Sequence, residues 1–292
     1  MACASTPVAR RATLIANADK AAKAALEKES GLDASKIPPR TFAVVPFAVA
    51  GADTLLKPLS FGLADLLLND LAKSPQLHLV ERVNTDAMLR ELDLVDQGIT
   101  DPRQAPRVGR LVGARRILVG EATRGAAGAI RLNARVVDVI GGTVQELVYA
   151  EAPLDRVIDA EKALALLVFE RLGITLTPAQ RQRIEQRQTT QLAALVAYGR
   201  GVQAEARGDA AGATAAFEDA ARLDAAFTAA RNQAAAAPAA TSAQKMSSVA
   251  RVLDLTTQAV NAPVATKPPE AVDAPLAASS LLNILITVRI TP

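Results

Sequence analysis

The sequence predicts a mixed α/β sandwich followed by a helical region and a terminal β-strand. Three observations carry that prediction. Thr41-Phe-Ala-Val-Val-Pro-Phe47 is an unbroken apolar run, as expected of a strand covered on both faces. Leu59, Leu63, Leu66, Leu67 and Leu71 recur at helical spacing within Leu55–Leu71, and Leu77–Arg82 is a second apolar run. A strand, a helix and a strand with short connections form a βαβ crossover, whose two strands must lie parallel. Lastly, Ile130, Leu132, Ala134 and Val136 alternate with Arg131, Asn133 and Arg135, the pattern of a half-buried antiparallel strand.

The other elements follow in order. Ala9–Ser30 is Ala- and Lys-rich and is expected to be helical up to Gly31, with a face of mostly alanine that is marginal by itself. Lys36–Arg40 contains Pro38 and Pro39 and forms a stiff linker. Asn84 is placed to cap a helix whose apolar face is Met88, Leu92 and Val95, running to Gly98. Asp101-Pro102 opens another helical stretch, regular over Arg107–Val112 and stopped by Gly113. Arg115–Thr123 is a third strand, and Gly125–Gly128 turns it into the alternating strand. A phase slip at Val137–Asp138 predicts a bulge or a strand end. Gly141-Gly142 then makes a hairpin with Thr143–Ala150. Leu154–Leu172 closes the domain as a helix through Ile158, Leu164, Val168 and Leu172.

Composition narrows the function. The chain has 292 residues, half of them hydrophobic, yet only 3% aromatic and without Trp, so its cores are aliphatic. A net charge of +3 is spread among interspersed signs, and the densest basic stretch holds only Arg181, Arg183 and Arg187. Without aromatic stacking platforms this is a weak nucleic-acid signal, and no nucleic-acid partner is expected. No apolar run is long enough to span a bilayer as a helix.

Catalytic constellations lack parts. His78 is the only histidine and sits in an apolar strand, as a core or edge residue does. Gly125, Gly128, Gly141 and Gly142 do not form a dinucleotide fingerprint, and no Gly-Lys-Ser/Thr phosphate loop occurs. Asp65, Asp70, Asp86 and Asp93 fall on helices, where cap or solvent positions are expected. The sequence therefore predicts no enzyme, no metal and no cofactor.

From Pro178 the chain turns to helices built on Ala, Gln and Arg. Within Leu192–Arg231, the residues Gly201, Gly208, Asp209, Ala213, Phe217 and Ala220 fall in the register of a tetratricopeptide repeat. Tyr198 stands beside the position of the usual large aromatic. Such a unit cannot bury its faces alone, so Pro178–Gln191, Met246–Val260 or another subunit must cover it. The alternative is an ordinary Ala-rich helical hairpin. Tyr198, Gly201, Gly208, Ala213, Phe217 and Ala220 are the candidate interaction residues.

Pro238–Ser242 and Pro263–Pro275 are Ala/Pro-rich linkers around a short helix marked by Val249, Val252, Leu253 and Val260. In the closing run, Leu282, Ile284, Ile286, Val288 and Ile290 share one face, opposite Asn283, Thr287 and Arg289. That strand is expected to pair with a sheet in its own chain or a neighbouring subunit. At the other end, Met1-Ala-Cys3 places the single cysteine where the end of a bacterial lipobox would put it. Cys3 is thus a candidate lipidation site, with the apolar part of the signal expected upstream, or else a free thiol in a loose terminus.

One family gathers these features. The succession Phe42-Ala-Val-Val-Pro-Phe47, Gly62-Leu-Ala-Asp65, Leu77–Arg82, Ala114–Glu121, Ile130–Asp138 and the Gly141-Gly142 hairpin resembles the CsgG/HfaB family and its TolB-like and flagellar-lipoprotein relatives. The resemblance covers roughly Arg40–Thr177. It implies a non-enzymatic periplasmic lipoprotein on the outer membrane, working as a homo-oligomer with other cell-envelope proteins in assembly or export of a surface structure. The amphipathic hairpins of the curli pore are not visible between the core elements, so pore formation does not follow. The alternative is a soluble cytoplasmic module that regulates a partner. The expected organisation is a lead at 1–39, the α/β domain at 40–177, the repeat-like helices at 178–237, a linker at 238–280 and the terminal strand at 281–292.

Overall fold

The computed structural model describes residues 6–51, 53–145, 147–236 and 245–246. Their architecture is a mixed α/β sandwich with a helical C-terminal region. The elements in order are α1 (Pro7–Glu27), β1 (Thr41–Val44), α2 (Leu56–Leu71), β2 (His78–Val80), α3 (Arg82–Glu91), α4 (Ala105–Leu111), β3 (Arg116–Arg124), β4 (Ile130–Asp138) and β5 (Val148–Ala152). Then come α5 (Val157–Arg171), α6 (Pro178–Glu185), α7 (Leu192–Ala206), α8 (Ala210–Leu223), α9 (Thr228–Ala234) and the two-residue β6 (Lys245–Met246).

The sheet order is β5-β4-β3-β1-β2-β6. β1 lies parallel to β2, with Phe42 opposite Leu79, and parallel to β3, with Phe42 opposite Arg116. The β1–α2–β2 unit is therefore the expected crossover. β3, β4 and β5 form an antiparallel meander.

β1 stops short of the expected Phe47 because Pro46 has no N–H to give the ladder. Pairing resumes beyond it, where Ala48 N–H donates to Gly120 O at 2.8 Å and Ala48 O accepts from Ala122 N–H at 2.9 Å. Of the bulge or strand end expected at Val137–Asp138, the strand end is what forms. The register runs unbroken from Arg124↔Ile130 to Arg116↔Asp138, where the strand ends. Val136 and Val137 are both buried because this part of the sheet is covered on both faces: Val136 packs with α2 and α5, Val137 with α1, α3 and α4. α3 starts two residues before the expected Asn84 cap, with Arg82 already in its first turn, and ends at Glu91.

α2 departs most from a one-sided amphipathic helix. Phe61, Ala64 and Leu68 are buried as deeply as the leucine row, because the sheet covers one side and α7 the other. At the α2–α7 crossing, a Cβ on Gly199 would stand 2.1 Å from Pro58 O and one on Gly62 3.0 Å from Gly199 Cα, so the backbones nearly touch. Consequently the change in sequence character at 178 is not a packing boundary. Ile184, Leu195, Tyr198, Phe217 and Phe227 belong to the same apolar core as Leu63, Leu67 and Leu132, and the described residues form one compact unit. Nor is α1 a loose lead: Ile15, Ala18, Ala22 and Ala25 are buried, and the helix packs on α3 and α8.

Candidate functional site

The repeat-register residues are mostly interior. Gly201 leaves room for the Phe217 ring, whose Cδ1 would lie 2.6 Å from a Cβ at that position. Phe217, Ala213 and Ala220 are fully buried on α8, and Tyr198 is fully buried on α7. The Tyr198 ring packs against Phe217 at 5.3 Å and Phe227 at 4.9 Å between centroids. Gly208 is exposed at the α7–α8 turn with φ +86°, which a side chain would strain. Five of the six candidates thus hold the helices together and offer no surface to a partner.

Beneath this pair lies a buried ionic hub that the sequence reading did not find. Arg82 donates from Nε to Asp65 at 2.7 Å, from Nη1 to Asp86 at 2.7 Å and from Nη2 to Glu205. Arg11, from α1, donates to the other oxygen of Glu205, to Thr214 Oγ1 at 3.1 Å and to the carbonyl of Gln233. Its guanidinium also lies 4.7 Å from the Phe217 centroid. The Tyr198 hydroxyl donates to Asp65, as does Asn69 at 3.1 Å. Six helices, α1, α2, α3, α7, α8 and α9, meet at these contacts.

The electrostatics follow from the donors. Burial alone would raise Glu205, but Arg82 and Arg11 outweigh it and hold the carboxyl below its usual range. Burial pushes Asp86 up to about 6, despite Arg82 and with help from the Glu205 charge, and its Oδ1 has no partner among the described residues. Burial and the Asp65 charge push the Tyr198 hydroxyl well up, so it stays a donor.

A second cluster sits at the end of α2. Asp70 accepts from Lys73 and from Lys162 of α5, both at 2.5 Å, and Lys73 also donates to Arg183 O at 2.6 Å. Glu161 lies beside them, fully buried. Lys162 Nζ is 3.1 Å from Glu161 Oε2, an ion-pair distance without hydrogen-bond alignment, and neither Glu161 oxygen has a hydrogen-bond partner among the described residues. Burial, then the Asp70 charge, push Glu161 up to about 8. Asp65, Asp70 and Asp86 are therefore not the cap or solvent residues expected. One sequence signal could have exposed Asp65 and Asp70: an acid inside a helix that is largely apolar must be buried and needs a partner, whereas Asp86 sits on the more polar α3 and carried no such signal.

Both clusters are packed within helices and act as structural ties. His78 is half-buried, with Nδ1 unpartnered among the described residues. Among those residues, no group of three or more His, Cys, Asp or Glu side chains could hold a metal, and no helix is long and apolar enough to cross a membrane.

The sheet offers a different kind of surface. β5 ends the sheet, so no described strand pairs with its outer edge. Around the β4–β5 connection, Ile140, Val144, Leu147 and Tyr149 are exposed, Tyr149 to 57%. Arg131 lies over the Tyr149 ring at 5.3 Å and bonds Glu151 at 2.7 Å. Cys3 and the terminal residues Leu282, Ile284, Ile286, Val288 and Ile290 lie outside the described residues, as do the linkers and the short helix expected between them.

Comparison with known proteins places the α/β part. The LpoB C-terminal domain from Salmonella enterica is similar at 19% identity over 39% of this chain and 83% of that domain, with a TM-score of 0.31, too low to carry an argument. No curated protein matches the chain. Residues 40–125, which run from β1 through β3, match the family model of the curli production assembly/transport component CsgG, so this part of the chain is CsgG-like.

Proposed function

We propose that the chain is a non-enzymatic scaffold of the cell envelope, acting as an oligomer in the assembly or export of a surface structure. The match of residues 40–125 to the curli assembly/transport family carries this reading. In it, Cys3 bears a lipid that holds the protein to the periplasmic face of the outer membrane. The α7–α8 pair, a tetratricopeptide-like unit, is locked to the α/β part through Gly62 and Gly199 and stiffens it. The run at 281–290 serves as a pairing strand between subunits.

Fractionation of cells expressing the complete gene tests the anchor. Wild type is expected in the outer-membrane fraction and Cys3→Ser in the soluble fraction; equal retention of both overturns it. Light scattering on detergent-solubilised protein tests the scaffold. A mass of several protomers, reduced by deletion of residues 281–292, is the expected result, and a monomer in both cases rejects it.

A further inference from the structure

We propose that the cleft where β1 and β3 begin, beside the end of α5, binds a phosphate monoester bearing a short apolar group. The cleft is about 180 Å³ and is lined by Arg40, Phe42, Gln76, Leu77, Arg116 and Leu172. At the opposite ends of these strands, where open α/β sheets usually hold ligands, the gap is only about 50 Å³.

The backbone brings the two arginines together. Arg40 O accepts from His78 N–H at 2.9 Å, so strand pairing extends one residue before Thr41 and places Arg40 on the same face as Phe42. Arg116 is registered directly opposite Phe42, two residues before the core residue Leu118. Both guanidiniums therefore rise from the face that carries α2 and α5.

Neither has a partner among the described residues. Arg11, Arg82, Arg90, Arg107, Arg115, Arg124 and Arg131 each bond a carboxylate. Among the described residues no hydrogen bond or ion pair forms to the guanidinium of Arg40 or Arg116. Asp138 stands across the ladder from Arg116, but it is already engaged: Oδ1 accepts from Ile140 and Gly141 N–H, and Oδ2 from Arg115 at 3.2 Å. The end of α5 is closed as well, because the N–H groups of Leu172, Gly173 and Ile174 bond back to Val168, Glu170 and Phe169.

Two unopposed planar forks favour a dianion that each can bond through two oxygens. Phe42, Leu77 and Leu172 form an apolar wall that fits a short alkyl group. Such a group could belong to a soluble ester or to a lipid headgroup.

Calorimetric titration of the whole protein with butyl phosphate and with inorganic phosphate tests the site. Butyl phosphate is expected to bind saturably, about tenfold tighter than inorganic phosphate. Arg40→Gln and Arg116→Gln are each expected to weaken it about tenfold, Arg116→Lys less, and Arg183→Gln on α6 not at all. Melting curves check that the variants stay folded. No saturable binding, or equal binding by wild type and both Gln variants, overturns the proposal. Co-sedimentation with vesicles containing phosphatidic acid, lost in both Gln variants, supports the site with a headgroup as its source. Binding of butyl phosphate without sedimentation supports it with a soluble ester.

Discussion

Helix α2 carries two buried carboxylates five residues apart, and each anchors a cluster whose second buried acid fares differently. Asp65 accepts from Arg82, Tyr198 and Asn69, in a hub where Glu205 is also held by Arg82 and Arg11. Asp70 accepts from two lysines, while its neighbour Glu161 has no aligned donor. Around the hub, planar forks aim several N–H groups at several oxygens, and Glu205 stays ionised. Around Asp70 the donors are compact ammonium groups; burial and the Asp70 charge outweigh Lys162, and Glu161 keeps its proton. In both clusters the balance of neighbouring charge against burial decides whether the buried acid is ionised.

The comparison breaks most visibly at Arg82. Arg82→Met removes the cation shared by Asp65, Asp86 and Glu205, leaving buried acids without compensation. A loss of about 3–5 kcal/mol is expected in urea unfolding. A loss below about 1 kcal/mol would mean that water or Arg90 takes over, and that the hub does not tie the helices. Tyr198→Phe is a smaller intervention, since it deletes one donor to a charged acceptor and keeps the ring against Phe217 and Phe227. Its expected cost is about 1.5–3 kcal/mol, with the circular-dichroism spectrum unchanged. If the cost vanishes, Asp65 is satisfied by Arg82 and Asn69 alone.

The two clusters also mark where the sequence stops being informative. The parallel crossover and the meander were legible because apolar runs and alternation are local patterns. The phase slip at Val137–Asp138 marked the strand end but not the cover on both faces of Val136 and Val137, because one strand does not show what packs on its back. Apart from Asn69 on the same helix, the Asp65 partners lie on α3 and α7, and no spacing rule links positions 65, 82 and 198. Gly62 and Gly199 posed the same difficulty: each reads as an ordinary glycine until the two helices cross. What the repeat register did locate, Ala213 and Phe217 on one face of α8, was local again.

The subtlest expected effect separates the clusters by pH. Glu161 has an ordinary value of 4.5 and is pushed up to about 8 when buried. Between those values the unfolded chain has released the proton while the folded protein still holds it, so the unfolded state binds fewer protons and stability falls as pH rises. The stabilisation is complete below 4.5 and is lost as pH passes through about 8. Asp86 obeys the same sign but runs only from 3.8 to about 6, and Glu205, held low, acts in the opposite sense below 4.5. The interval from pH 6 to 8 therefore isolates Glu161. Glu161→Gln keeps a neutral polar group of the same size and removes the titration. Wild type is expected to lose about 1–2 kcal/mol more than Glu161→Gln between pH 6 and 8 in urea unfolding. Parallel curves would show that Glu161 is ionised throughout, that Lys162 alone neutralises it, and that the two carboxylate clusters of α2 are alike after all.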